Sequence, residues 1–423
     1  MVFATLGSLG DLHPVLALAR EAQARGHEVV VAASPNYEAN VTRADIAFHP
    51  LRPTIPQDPK HLEYYFDLKR GPERLLRQVV FKHVRDTHAD MESATRGADL
   101  LVVGELLYTA PVVAEKIGIP WMNIVLAPTS MLSVTDPCVL APAPFLFPLR
   151  RLGTWVHRLA YIAGRLQGQM WAKEFYRFRR DRNLPPGPNP IFEGKHSPHG
   201  TLVMFPEFFA QPQKDWYGNP FQTGFPFFEQ PPAAGDDAVA RFLAAGEPPI
   251  VFTLGSIVAH FEPRFYHAAL GAAQSLGRRA ILLAGRNASL PTGIPPSVLV
   301  LDYARLSQVL PHAAAVVHAG GIGTCAESLR AGIPSVIIPF SFDQPDNAYR
   351  MRRLGVAEIL SRRAITIPNL VHKLRQVLEN PSCSEKAAAL SAHIDPALAV
   401  RRAVERMERA TLEQIASKIP AQA

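Results

Sequence analysis

The chain has 423 residues, 48% of them apolar and 19% charged, with a net charge of +7. That length allows two domains of roughly 200 residues, each with its own core, and the apolar content excludes long disorder. The positive charge is diffuse and carries no aromatic-plus-basic motif, which argues against nucleic acid and leaves an anionic small ligand or an anionic membrane surface. In chain order, residues 2–6 form a short apolar run that ends at Gly7, and the turn GSLGD follows. Pro14 to Arg25 has helical spacing through Val15, Leu16, Leu18, Ala19 and Ala22, opened by Pro14 and closed by Gly26. His27–Ala33 reads as the next strand, which makes a βαβ unit and a parallel sheet. Asp99–Gly104, a helix around Ala110–Lys116 and Trp121–Leu126 continue the alternation. Strands this continuously apolar have both faces covered.

The middle of the chain differs. Residues 128–150 are proline-rich and apolar without a clear period. Residues 151–182 read as a helix, with Trp155, Leu159, Ile162, Ala163 and Leu166 on one side. Around them lie Arg150, Arg151, Arg158, Arg165, Lys173, Arg177, Arg179, Arg180 and Arg182. Leu202–Phe205 looks like one more strand, and 211–234, rich in Pro, Gly and Gln, is the expected linker. A second series of strands follows at Pro249–Leu254, Ala280–Ala284, Val298–Leu301, Ala315–His318 and Ser335–Phe340. Helices are expected between them at 263–276, 305–311, 323–332 and 346–354. The expected organisation is an α/β chain of two Rossmann-like domains, 1–210 and 235–423, with the last helix packing back on the first domain.

Ligands of such domains sit at the carboxyl ends of strands, on loops that enter helices. Two motifs lie at such points. In HAGGIGTCAESLRAG, 318–332, a strand ends at His318, glycines 320, 321 and 323 make the turn, and a helix is expected from about Thr324. Bare glycines admit a ligand close to the backbone, and free amides at a helix start bind anions, so a diphosphate fits there. A hydrogen bond donated by His318 would add polarity or positive charge beside it. One βα unit later, PFSFDQPDNAYR places Asp343 and Gln344 before a helix. A carboxylate and an amide side by side can read several hydroxyls of a sugar.

The segment 302–350, with HxGGxGT followed by PFxxDQPxNA, resembles the donor signature of nucleotide-sugar glycosyltransferases of the GT-B architecture, two Rossmann-like domains facing each other across a cleft. It is most similar to the bacterial branch of the UDP-glycosyltransferase superfamily that holds sterol glucosyltransferases, antibiotic glycosyltransferases and the rhamnosyltransferase of rhamnolipid synthesis. TLGSLGDLHPVLALA near the amino terminus resembles the same branch. The resemblance implies that Tyr303 stacks on the donor base and that the backbone of Ala304 meets the base edge. It implies that His318 and the amides of Gly321, Ile322, Gly323 and Thr324 hold the diphosphate, with a further contact from Ser256, and that Asp343 and Gln344 bind the sugar. Two departures stand out. Arg305 replaces a usual proline, and the ribose-binding glutamate expected eight residues after the histidine is Ala326, with Glu327 one residue later. One residue turns a helical side chain by about 100°, so Glu327 is expected to miss the ribose, and UDP- and dTDP-sugars both stay open.

The same resemblance places the catalytic base at Asp11, three residues before Pro14, with His13 as the alternative. A carboxylate at a loop tip can take the proton of an attacking hydroxyl; the other reading is that Asp11 caps the helix. No Asp-x-Asp occurs, so metal-independent transfer is expected, with leaving-group charge met by the helix start and His318. A single displacement inverts the anomeric centre. No cofactor is expected beyond the nucleotide sugar as co-substrate. The prolines, Phe145, Phe147 and the long helix suggest an apolar acceptor pocket beneath a lid, for a lipid, polyketide, sterol or flavonoid-like hydroxyl. The three separated cysteines, Cys138, Cys325 and Cys383, and the lack of a leader or an apolar run of roughly 20 residues fit a cytoplasmic protein, with the basic helix a candidate for contact with the inner membrane face. Three rivals are weaker. An NAD-dependent oxidoreductase needs a GxGxxG spacing that GSLGDL lacks. A catalytically silent accessory subunit that binds a partner glycosyltransferase would not need His318, Asp343 and Gln344, and a sugar-nucleotide epimerase would not need the apolar middle segment.

Overall fold

The computed structural model describes all residues except 56–57, 230–235, 256–261, 286–289, 291 and 419–423. Two parallel sheets organise the chain. The first comprises β1 (Val2–Ala4), β2 (Val30–Ala33), β3 (Ala47–Pro50), β4 (Leu101–Val103), β5 (Trp121–Val125), β6 (Thr201–Val203) and β7 (Pro220–Gln222), in the spatial order β3-β2-β1-β4-β5-β6-β7. The second comprises β8 (Ile250–Thr253), β9 (Ala280–Leu283), β10 (Val298–Leu301), β11 (Ala315–His318), β12 (Ser335–Ile337) and β13 (Ala357–Ile359), in the order β10-β9-β8-β11-β12-β13. The inner strands β1, β4, β5, β8, β9 and β11 are buried along their whole length, as helices on both faces require. This is the GT-B arrangement expected from the sequence.

The strand order reverses once in each sheet, between β1 and β4 and between β8 and β11. Crossovers leave in opposite directions there and open a crevice at the carboxyl ends. Residues 5–11 follow β1, Gly104 and Glu105 follow β4, and the glycine turn follows β11. These loops carry the site.

Several boundaries differ from the sequence reading. The first helix is Leu9–Ala24 and starts five residues before Pro14, because Ser8 and Asp11 form a capping box. Much of the expected linker belongs to the first domain. Pro220 opens the edge strand β7, where a missing N–H costs no ladder bond; Trp216 is buried; and Asp215 accepts from Ser133 Oγ and Val134 N, both at 2.7 Å. Phe225 and Phe227 beyond it join an apolar cluster that spans both domains, from Phe205 and Phe209 to Leu329 and Met351. The long basic helix is broken into a 3-10 turn, Pro144–Leu152, and two helices, Thr154–Trp171 and Lys173–Arg180. Its large apolar residues do not line a pocket: Trp155, Leu159, Ile162 and Leu166 point to solvent. The last helix, Pro396–Lys418, lies on the first, with Val400, Ala403, Val404, Met407 and Ala410 in the core beside Leu12 and Leu16. Among the described residues no helix is long and apolar enough to cross a membrane.

Candidate functional site

The first domain contributes carboxylates. Asp11 stands in the first turn of Leu9–Ala24, where Ser8 N and Oγ donate to its Oδ2 at 2.7 and 3.0 Å. Capping and chemistry are therefore compatible: one oxygen holds the helix start, and Oδ1 receives no hydrogen bond from the described residues. Gly7, at φ +141°, permits this fold-back, since a Cβ there would stand 2.2 Å from Oδ2. Burial raises the Asp11 pKa to about 6; the Glu105 charge adds to this and the Ser8 bonds oppose it. His13 lies against Phe228, with ring centroids 5.7 Å apart, and burial lowers its pKa to about 4. The imidazole faces the segment joining the domains and is the weaker base.

Glu105 was not picked out from the sequence. It accepts from Leu126 N at 3.3 Å and from Ser130 Oγ, and its charge acts on Asp11, on Asp343 and on Lys195. The one signal was an acid directly after an apolar strand, in LLVVGE.

The second domain contributes donors. His318 closes β11 and is 1% exposed. Gly320 N donates to its Nδ1 at 3.1 Å, so the ring proton sits on Nε2, which is buried and has no partner among the described residues. Burial lowers the pKa to about 3, so His318 supplies a neutral donor and not a positive charge. Gly320 turns the chain at φ +89°, with Ile337 Cγ2 2.7 Å from where a Cβ would be. Gly321 caps the helix Ile322–Arg330, which starts two residues earlier than expected. The amides of Ile322, Gly323 and Thr324 have no acceptor within the helix, and a Cβ at 321 or 323 would meet open space.

Asp343 and Gln344 precede the rest of the helix Gln344–Arg353 but are not equivalent. Gln344 Oε1 accepts from Phe340 N and Ser341 N at 2.8 and 3.1 Å, which leaves only its amide protons for a ligand. Asp343 Oδ2 accepts from Asn347 Nδ2 at 2.7 Å, and the same Nδ2 donates to Gly320 O at 3.0 Å. Asn347, unassigned from the sequence, thus ties the Asp343 loop to the glycine turn. Burial raises the Asp343 pKa to about 7, with Asp11 and Glu105 adding, so carboxylates of the two domains sense each other across the cleft. Ser341 Oγ donates to Asp67 O at 3.3 Å, and the Phe66 and Phe342 rings meet edge-on at 5.0 Å, which closes that end.

Tyr303 is half exposed just beyond β10, next to buried Ala304, as a stacking platform needs. Glu327 is engaged elsewhere: it pairs with Arg330 at 2.8 Å, and Arg330 pairs with Glu229 at 2.6 Å. Burial raises the Glu327 pKa to about 7. Ser256 lies outside the described residues.

Two switch points, one with the Asp11 carboxylate and the other with a glycine turn and a helix start, are the elements that a GT-B protein places at its cleft. Comparison with known proteins agrees. Residues 1–135 match the glycosyltransferase family 28 N-terminal domain, and residues 270–400 match the C-terminal domain of erythromycin biosynthesis protein CIII-like proteins. The O-mycaminosyltylonolide 6-deoxyallosyltransferase of Streptomyces fradiae is 32% identical, over 94% of this chain and 90% of that one. The glycosyltransferase of kitacinnamycin shares the fold at TM-score 0.73 and 22% identity, covering 97% and 98% of the two chains. The spinosyn rhamnosyltransferase in complex with thymidine diphosphate does so at 0.66 and 19%, covering 96% and 100%. The chain belongs to the GT-B glycosyltransferases, in the branch of antibiotic and sterol glycosyltransferases.

Proposed function

We propose that this glycosyltransferase moves a hexosyl group from a UDP- or dTDP-sugar to a hydroxyl of a hydrophobic small molecule, a lipid, polyketide, sterol or flavonoid-like compound, with inversion and without a metal or further cofactor. The observation that carries this reading is His318 Nε2, a buried, protonated nitrogen that, like the helix-start amides beside it, meets no acceptor among the described residues. A diphosphate oxygen supplies what both lack. The second domain then holds the donor: the base on Tyr303 and along Ala304, the diphosphate at His318, Gly321, Ile322, Gly323, Thr324 and Ser256, and the sugar on Asp343 and the Gln344 amide. The first domain holds the acceptor.

Asp11 Oδ1 takes the proton of the acceptor hydroxyl as its oxygen attacks the anomeric carbon. The bond from that carbon to the diphosphate breaks, and its electron pair leaves on the phosphate oxygen. His318 and the helix start stabilise this charge with donors already in place. One displacement, from the face opposite the diphosphate, inverts the centre. Glu327, held by Arg330, gives no grip on a ribose hydroxyl and hence no preference against a deoxyribose. A deoxyhexose such as rhamnose on thymidine diphosphate is therefore the first donor to try, with UDP-glucose second. The deoxysugar in the name of the Streptomyces fradiae relative and the thymidine diphosphate in the spinosyn enzyme support that order.

The test is a panel of dTDP- and UDP-sugars, read by thermal shift and by turnover on a polyketide alcohol, with and without EDTA. We expect a higher Tm with dTDP and full turnover in EDTA. A Tm unmoved by either diphosphate overturns the donor site, and loss of turnover in EDTA overturns metal independence. Donor binding without turnover on the polyketide alcohol, or on a lipid, sterol or flavonoid alcohol in its place, favours the accessory-subunit reading.

A further inference from the structure

The helix Thr154–Trp171 is inside out. Its inward face is small or polar: His157 is buried, Tyr161 Oη donates to Ser133 O at 2.9 Å, and Gly164 and Gly168 let the helix settle on Phe192 and Ile191. A Cβ at those glycines would stand 3.5 Å from Phe192 Cζ and 3.3 Å from Ile191 Cδ1. Its outward face carries Trp155, Leu159, Ile162, Leu166 and Met170, each between 55% and 60% exposed. Steps of four, three, four and four residues put all five on one line, about 22 Å long at 1.5 Å per residue. Leu152, 60% exposed, and Phe145, 69% exposed, extend the apolar surface beyond the helix start. A contiguous line of this kind marks a binding surface.

Charge selects the occupant. The helix contains no acidic residue. Arg158 is exposed along its edge, Arg151 precedes it, and Lys173, Arg180 and Arg182 follow, all exposed. Two copies packed stripe to stripe would bring Arg151 and Arg158 of each together with no acid in Thr154–Trp171 to offset them, and the nearby acids Glu174 and Asp181 are already paired with Arg177 and Arg85. An anionic lipid surface satisfies both parts, acyl chains for the apolar line and headgroup phosphates for the cations. Trp155 Nε1 donates to Leu152 O at 2.8 Å, so its indole needs no other polar partner and can enter the acyl boundary.

We propose that Thr154–Trp171 lies in the interface of an anionic membrane, with Trp155 to Met170 against the acyl chains and Arg151, Arg158 and Lys173 on lipid phosphates. This docking is independent of which donor the enzyme uses.

The full chain would be co-sedimented with vesicles of phosphatidylcholine, with and without phosphatidylglycerol. We expect at least roughly tenfold stronger partition onto the phosphatidylglycerol vesicles, as a few cations at a charged surface would give. Leu159→Gln/Ile162→Gln/Leu166→Gln should lose binding to both, and Arg151→Gln/Arg158→Gln should lose only the preference. Far-UV circular dichroism and turnover on a water-soluble acceptor should match the parent in both variants. If the triple variant does not fold, tryptophan fluorescence decides: a blue shift on phosphatidylglycerol vesicles that disappears in Trp155→Phe supports the proposal, and no shift overturns it. Failure of the parent to bind either vesicle, or equal binding by the folded triple variant, overturns the membrane. A dimer that the triple variant converts to monomer, by sedimentation velocity, overturns it in favour of a second copy.

Discussion

Asp11 holds two positions that pull against each other. Its Oδ2 accepts from Ser8 at the helix start, while the proposed role as base asks the same carboxylate to take a proton. A pKa of about 6 meets both demands near neutrality, because the group is mostly ionised there yet more basic than an ordinary aspartate. The base form exists above that pKa, so kcat/KM should rise as pH increases through about 6. Asp11→Asn should lower turnover by about 10³-fold while the thermal shift with donor persists, and His13→Ala should stay within about threefold of the parent. An active Asp11→Asn beside an inactive His13→Ala reverses the two roles. Asp343 makes the opposite bargain with stability. Its pKa is raised to about 7 in the folded chain, so burying it is harmless below its unfolded value near 3.8 and costs stability as pH rises through 7. Asp343→Asn should therefore raise the Tm of the ligand-free protein at pH 8, with the gain vanishing near pH 4, although donor affinity falls. An equal gain at both pH values shows that its charge is not the cause. His318 and Asp343 could be nominated from the sequence because each sits in a motif whose chemistry is local. Glu105 was not, because it meets Asp11 only when β1 and β4, nearly a hundred residues apart, become neighbours. Asn347 was hidden in the open: it stands in the motif, but its partner Gly320 belongs to the previous loop.

At the level of elements, the helix Gln344–Arg353 also ties the two domains together. Arg350, 1% exposed, donates to Asp346 at 2.7 Å and to Asp136 of the first domain at 2.8 Å, and Asp346 also accepts from Val139 N at 2.9 Å. The helix thereby pins residues 136–139 against the second domain. Asp346→Ala should cost about 3 kcal/mol or more by urea denaturation, because it leaves a guanidinium buried beside one carboxylate. Adding Arg350→Met should recover part of that loss; a cost below about 1 kcal/mol for Asp346→Ala alone means the pair is idle. Most strands could be read from apolar runs, while β3, β7 and β13 could not, since their sequences are short and only partly buried. The helix Thr154–Trp171 teaches a sharper lesson. Periodicity placed its apolar residues on one side correctly, but periodicity does not say which side faces the protein. The glycines at 164 and 168 held that information, since a helix that rests on its neighbours through glycine has its bulk elsewhere.

Across the whole molecule, the two domains are joined by more than a strand of chain. One apolar cluster runs through both, Arg350 bridges them, and the last helix crosses back to the first, where Arg25 pairs with Glu405 and Glu408 at 3.2 and 3.1 Å. Removing everything after Asp395 takes Val400, Val404 and Met407 out of the first domain's core, each worth about 1.5–3 kcal/mol. The truncated chain should melt more than about 10 °C lower and expose apolar surface to a reporter dye. An unchanged Tm would mean the last helix is decoration. The same helix sets an order of events during synthesis. β1 and the helix after it are made before the second domain, yet the core beside Leu12 and Leu16 is completed by residues made about 400 positions later. The domain that is translated earlier is therefore completed later, and until Pro396–Lys418 has emerged it carries an open apolar seam for a chaperone, or a neighbouring nascent chain, to find.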